Sequence, residues 1–319
     1  MAAEANDILA EAVRAHPTRF AGLAAVAPQD PNSVVRELER AKALGLKGFL
    51  INSHTRGEYL DLPKFAPIFE AAQALDMPLY LHPREPSPSS VTPYLDHGLF
   101  FAAWGFAAET SLHAMRLIMS GLFDRYPRLR IALGHMGEGM PFWLSRIDNR
   151  YKGQVLMGVN KRLARLPSEY FRDNFVITTS GMMDDAALRL AISVLGVERI
   201  QFAGDFPYED VRAGVDFLRT PRSLTPSVVR FLKPMPHVTG ASSLTKLLVQ
   251  HLGGANERGP ARAPAQFFAH HNLGLLGVHP HGLAERGWQV DGNSSPDRRS
   301  FLRPNLAPAH DGASLGQGV

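Results

Sequence analysis

The sequence predicts an α/β fold: a parallel (β/α)8 barrel of the TIM type, incomplete, with about six of the eight βα units present. Three observations predict it. Short apolar runs alternate with amphipathic stretches through the first 205 residues, the pattern of strands joined by crossover helices. The repeating unit is about 25 to 50 residues long, which suits a barrel better than a doubly wound sheet. Three of the strand-like runs end in His82, His135 and Asp205, at the end of a barrel where active sites are built.

The elements follow in order. FAGLAAV (20–26) reads as a strand closed by Pro28. PNSVVRELERAKALGL then sets Val34, Val35, Leu38, Ala41 and Leu44 on one helical face, with Gly45 as terminator. KGFLIN (47–52) is the second strand, and PKFAPIFEAAQAL (63–75) is a helix that tolerates its early proline. PLYLH (78–82) is the third strand. A Pro/Ser-rich loop leads to a helix over 109–123, then to the strand RIALGH (130–135) and a helix over 138–151. FVITTSG (175–181), a helix over 185–196 and RIQFAGD (199–205) complete six strands, two short of a closed barrel.

Residues 1–218 therefore form a partial barrel. Residues 219–252 are a divergent basic segment, with Arg219, Arg222, Arg230, Lys233 and Lys246 and no acid. Those charges lie among Pro, Ser and Leu without a stacking aromatic series, so a nucleic-acid partner is not expected. Residues 253–319 are an irregular Gly/Pro/His/Arg-rich tail, the composition of a disordered segment or of a GC-rich gene read out of frame.

The chain has no cysteine, which excludes disulfides, thiolate metal sites and cysteine nucleophiles and suits the cytoplasm. The N-terminal run MAAEANDILAEAVRAHP lacks the apolar core of a signal peptide, and no apolar run approaches a bilayer span. A membrane partner is not expected.

Two imidazoles and a carboxylate at one barrel mouth are a sensible donor set for Zn or Mn. Glu138 follows His135 by three residues, at the expected start of a helix, where its carboxylate can accept the other ring N–H of that histidine. It would also suit the helix N-terminus with no role in chemistry. His54 and His97 fall in loops and His113 on an apolar helix. His270, His271, His279 and His281 fall in the tail and read as incidental.

YLHPR (80–84), WGFAAETSLHAMRLIMSGLFDRYPRLRIALGHMGEGMPFWLSRIDNR (104–150), ITTSG (177–181) and RIQFAGDFPYE (199–209) resemble the amidohydrolase-related decarboxylases. Within that group the resemblance is nearest to the γ-resorcylate (2,6-dihydroxybenzoate) and 2,3-dihydroxybenzoate enzymes, and it spans about residues 5–218. It implies a barrel of the metal-dependent hydrolase superfamily and non-oxidative decarboxylation of an ortho-hydroxybenzoate. It also implies a small aromatic acid as substrate and a homo-oligomer, a dimer or tetramer. His82 then matches a metal ligand, His135 the catalytic histidine with Glu138 as its partner, and Asp205 a metal ligand that delivers a proton. Asn52, Phe106 and Arg146 match positions near the substrate.

The Glu-x-His or His-x-His pair of the family's first strand is not found, and the sequence reads as beginning at the helix before the third strand. Two alternatives stay open. One is a hydrolase of the same superfamily, in which the metal activates water against a lactone or amide. The other is a catalytically inactive gene fragment.

Overall fold

The computed structural model describes residues 1–219. The basic segment and the tail lie outside the described residues, apart from the backbone of Arg219. Six strands form one sheet in sequential order, each parallel to the next. They are β1 (Leu23–Ala25), β2 (Gly48–Asn52), β3 (Leu79–His82), β4 (Ile131–Leu133), β5 (Phe175–Thr178) and β6 (Ile200–Gln201). All six expected strands are present, but they are shorter than the apolar runs that announced them. The run 20–26 pairs only over Leu23–Ala25, and 199–205 only over Ile200–Gln201.

The connections are helical. They are α1 (Ala2–Ala15), α2 (Pro31–Ala43), α3 (Ala66–Ala74), α4 (Thr92–Leu95), α5 (Gly105–Met119), α6 (Leu122–Arg125), α7 (His135–Glu138, a single turn with left-handed rather than α-helical backbone), α8 (Met140–Leu156), α9 (Pro167–Asn174), α10 (Asp185–Leu195) and α11 (Val211–Arg219). Asp30 caps α2 by accepting from Ser33 N at 3.2 Å, and Asp184 caps α10 by accepting from Ala186 and Ala187 N at 2.9 Å. Each such cap stabilises by about 1 kcal/mol.

Three helices differ from expectation. The helix over 63–75 is split into a tight turn (Pro63–Phe65) and α3. The helix expected over 109–123 starts earlier, at Gly105, and breaks where Gly121 takes φ 75°. The helix expected to start at Glu138 starts instead at Met140, because residues 135–139 form a left-handed turn.

The pleat separates two faces. Phe49, Ile51, Leu79, Leu81, Ile131, Leu133, Phe175, Ile177 and Ile200 join the helices in the main core. Leu23, Leu50, Tyr80, Ala132 and Val176 form a separate cluster from strands alone, on the face the helices leave uncovered. Leu50, Tyr80, Ala132 and Val176 share one row of the register. Two residues further on, the same face carries Asn52 beside His82 and Thr178 beside Gln201. The inner wall therefore passes from apolar to polar toward the C-terminal ends of the strands. Among the described residues, no helix is long and apolar enough to cross a membrane.

Candidate active site

His82 ends β3 on that inner wall. Its Nδ1 lies 2.8 Å from the carbonyl oxygen of Pro83, which can only accept, so Nδ1 carries the proton and Nε2 keeps its lone pair. Burial holds the imidazole below its ordinary pKa, against the pull of Asp205. His82 is thus a neutral, preset nitrogen donor.

Across the mouth, His135 stands between two carboxylates. Its Nδ1 is 2.8 Å from Glu138 Oε1, and its Nε2 is 3.5 Å from Asp205 Oδ2. Burial opposes a charge on His135, but Asp205 and Glu138 together outweigh it and push the pKa up to about 10. The same contact with His135 holds the Asp205 carboxyl below its ordinary range, despite burial. The proton of this pair therefore rests on the imidazole. The resemblance implied that Asp205 delivers a proton; its Oδ2 lies 3.5 Å from His135 Nε2, a nitrogen from which it can receive one.

Glu138 is 6% exposed, and its Oε2 has no hydrogen-bond partner. A buried carboxylate with one idle oxygen is costly, so its role in holding His135 is bought at the expense of solvation. Just below it, the Tyr80 hydroxyl lies 3.5 Å from Thr178 Oγ1, which is 2.8 Å from Ser180 Oγ. Burial pushes the Tyr80 phenol up to about 12, so it stays neutral.

The backbone at this mouth is unusual. His135 (φ 43°), Met136 (55°), Glu138 (55°) and Asp205 (50°) all take left-handed conformations that L side chains rarely adopt. Only Arg56 and Asp76 do so elsewhere among the described non-glycine residues. Gly137 (φ 79°) completes the turn, and a Cβ there would come within 2.9 Å of the Ile177 side chain on β5. The run GHMGEG is thus a tight reversal pressed against the sheet, which aims His135 inward and Glu138 beneath it.

The remaining expected residues divide. Asn52 stands beside His82 in register and belongs to the same polar row. Phe106 is half-buried in the first turn of α5, edge-on to Phe101. Arg146 is exposed on α8, where with Trp143, Met115 and Met119 it lines a groove shared with α5. Among the described residues, no hydrogen bond joins Phe106 or Arg146 to His135, Glu138 or Asp205. Tyr80 and Thr178 were not singled out in the sequence, although Tyr80 precedes His82 by two residues and so shares its face.

His82 Nε2 and the Asp205 carboxylate are donors of the kind Zn and Mn take. They are two where a catalytic zinc site has three protein ligands. Among the described residues, no group of three or more His, Asp or Glu is gathered closely enough to hold a metal.

The family model described as amidohydrolase matches residues 1–230. A γ-resorcylate decarboxylase of Polaromonas sp. is 44% identical over 224 residues, 68% of this chain and 68% of that protein. Among solved structures, 5-carboxyvanillate decarboxylase from Sphingomonas paucimobilis superposes with a TM-score of 0.71 at 46% identity, covering 76% of this chain and 71% of that one. A dihydroxybenzoic acid decarboxylase from Polaromonas sp., with bound manganese and the inhibitor 2-nitroresorcinol, gives a TM-score of 0.66 at 41% identity, covering 72% and 71%.

Proposed function

The chain belongs to the amidohydrolase family, and from that membership we propose that it is a metal-dependent decarboxylase of ortho-hydroxybenzoates such as 2,6- or 2,3-dihydroxybenzoate. The observation that carries the reading is the arrangement of His135 between Glu138 and Asp205, facing the neutral His82.

Direct loss of CO₂ from a benzoate would leave an aryl carbanion. An ortho hydroxyl avoids this: its electrons move into the ring, and the carboxyl-bearing carbon accepts a proton first. The C–C bond then breaks, CO₂ departs, and its electron pair restores the aromatic ring. The residues must supply one proton to carbon and steady the negative charge of the substrate. His135 holds that proton at rest, and Asp205, 3.5 Å away, lies in reach to receive it and pass it on as general acid. Glu138 fixes the ring of His135 and keeps its Nδ1 proton in place, so that the Nε2 proton facing Asp205 is the one given up. Asn52 lies beside His82, where it could orient a substrate oxygen. A divalent metal held by His82 and Asp205 would supply positive charge that favours the phenolate form of the substrate.

Manganese or zinc suits these donors. The reading extends to a cytoplasmic homo-oligomer that acts on a small aromatic acid and engages neither nucleic acid nor membrane. Supplied with Mn²⁺, the protein should release CO₂ from 2,6- or 2,3-dihydroxybenzoate and leave 3,5-dihydroxybenzoate untouched. Inertness toward every ortho-hydroxybenzoate combined with hydrolysis of a lactone would replace this reading with the hydrolase one.

Two donors among the described residues also imply a loosely held ion. Elemental analysis after dialysis against a mild chelator should find the metal removed. A stoichiometric ion surviving that treatment would show that residues outside the described ones complete the set.

A further inference from the structure

Glu109 lies in the run WGFAAET and takes no part in the chemistry above, yet it is one of the most connected side chains in the described structure. It sits on α5, 2% exposed. Its Oε1 accepts from Ser53 Oγ at 3.2 Å, and its Oε2 accepts from Tyr59 Oη at 3.0 Å and from Ser87 N at 3.2 Å. These donors come from two connections. Ser53 and Tyr59 belong to the segment that leaves β2 directly after Asn52, and Ser87 to the segment that leaves β3 after His82.

The network continues to His82 itself. Ser53 N donates to the carbonyl oxygen of His82 at 2.8 Å. On the other side, Leu60 N donates to His113 Nε2 at 3.0 Å, so His113 Nδ1 carries a proton and donates it to Ser53 Oγ, 3.1 Å away. The three donors satisfy the buried carboxylate, and because they are drawn from both connections they tie the two segments to one point on α5.

We propose that Glu109 is a positioning residue, which clamps the connections after β2 and β3 onto α5 and so fixes where Asn52 and His82 stand at the barrel mouth. The metal readout below rests on His82 being a metal donor; the exchange readout does not.

The test uses the full chain, Mn²⁺ alone and three variants. Glu109→Gln keeps the volume but turns one acceptor into a donor facing donors. Tyr59→Phe removes a single hydrogen bond and serves if the first variant folds poorly. Asn174→Ala is the control. Its buried side chain donates to Pro127 and Leu129 oxygens at 3.0 and 2.9 Å, at the opposite end of the sheet, so its loss destabilises without touching the clamp.

Glu109→Gln should weaken Mn²⁺ binding, followed by electron paramagnetic resonance, by about tenfold at most, the lower end of what losing a direct partner of a ligand costs, since Glu109 reaches His82 through Ser53. Amide exchange should quicken in 53–62 and 83–91 together. Tyr59→Phe should shift both readouts the same way, by less. Asn174→Ala should lower the melting temperature and leave both unchanged. The proposal is overturned if Glu109→Gln behaves like the control, with Mn²⁺ affinity intact and exchange quickened evenly along the chain. If the unaltered protein binds no Mn²⁺, the metal reading fails and the exchange pattern alone decides: coupled loosening of the two segments supports the clamp, and even loosening overturns it.

Discussion

Asp205→Asn should reduce decarboxylation of 2,6-dihydroxybenzoate by about 10²- to 10⁴-fold, the usual contribution of a general acid. Asparagine matches aspartate in size but can neither take the proton from His135 nor deliver it to carbon. It also tolerates the left-handed backbone that Asp205 adopts at φ 50°, so the mouth should keep its shape. Circular dichroism and melting temperature should therefore stay near those of the unaltered protein. Rates are to be compared at saturating Mn²⁺, because the substitution also weakens a metal donor. His135→Ala should lose a similar factor, since the proton then has no resting place between the two carboxylates. Turnover of the asparagine variant within a few-fold of the original would remove Asp205 from the proton path.

The second large effect is on stability and turns on His113. This imidazole is fully buried on α5, and its Nε2 accepts from Leu60 N. Burial, with smaller contributions from the Arg116 and His54 charges, pushes its pKa down from 6.5 to about 3. The folded chain therefore refuses a proton that the unfolded chain accepts below pH 6.5. Above pH 6.5 the group is neutral in both states and the term vanishes; below it stability falls by about 1.4 kcal/mol per pH unit until the pH nears 3. Urea unfolding of the unaltered protein and of His113→Gln at pH 7 and pH 5 isolates this contribution. The stability gap between the two should narrow by about 2 kcal/mol at the lower pH, because only the histidine chain carries the linkage. An equal gap at both values would mean that the imidazole is not held neutral.

Strand placement was legible because parallel strands with both faces covered read as short apolar runs, and the polar residue closing each run marks the mouth. That is why His82, His135 and Asp205 stood out before any geometry was known. Helix α9 is not legible in the sequence, although its buried Pro167, Tyr170, Phe171 and Asn174 follow a helical stripe. Ser168, Glu169, Arg172 and Asp173 hid that stripe in polar composition. The turn at 135–139 is hidden for a different reason. Glutamate followed by an apolar stretch resembles a helix start, while the two flanking glycines, both left-handed, set the reversal. The pairing of Asp205 with His135 is not legible at all, since the two stand seventy positions apart in sequence and 3.5 Å apart in space. His113 and Glu109 do not stand out in the sequence, because isolated polar residues on an apolar helix look alike, whether they are idle or gathered into a network.

The left-handed cluster at the mouth bears on how such a protein can be improved. Each non-glycine residue held there costs about 1–3 kcal/mol of backbone strain. Selection for heat resistance alone would favour glycine or asparagine at His135, Met136 and Glu138, since either relaxes the strain. Those exchanges would discard the imidazole and its supporting carboxylate. Thermal robustness and turnover thus compete for the same few codons, and an engineered, tougher form has to gain its margin from the helix layer and the loops, leaving the reversal at 135–139 alone.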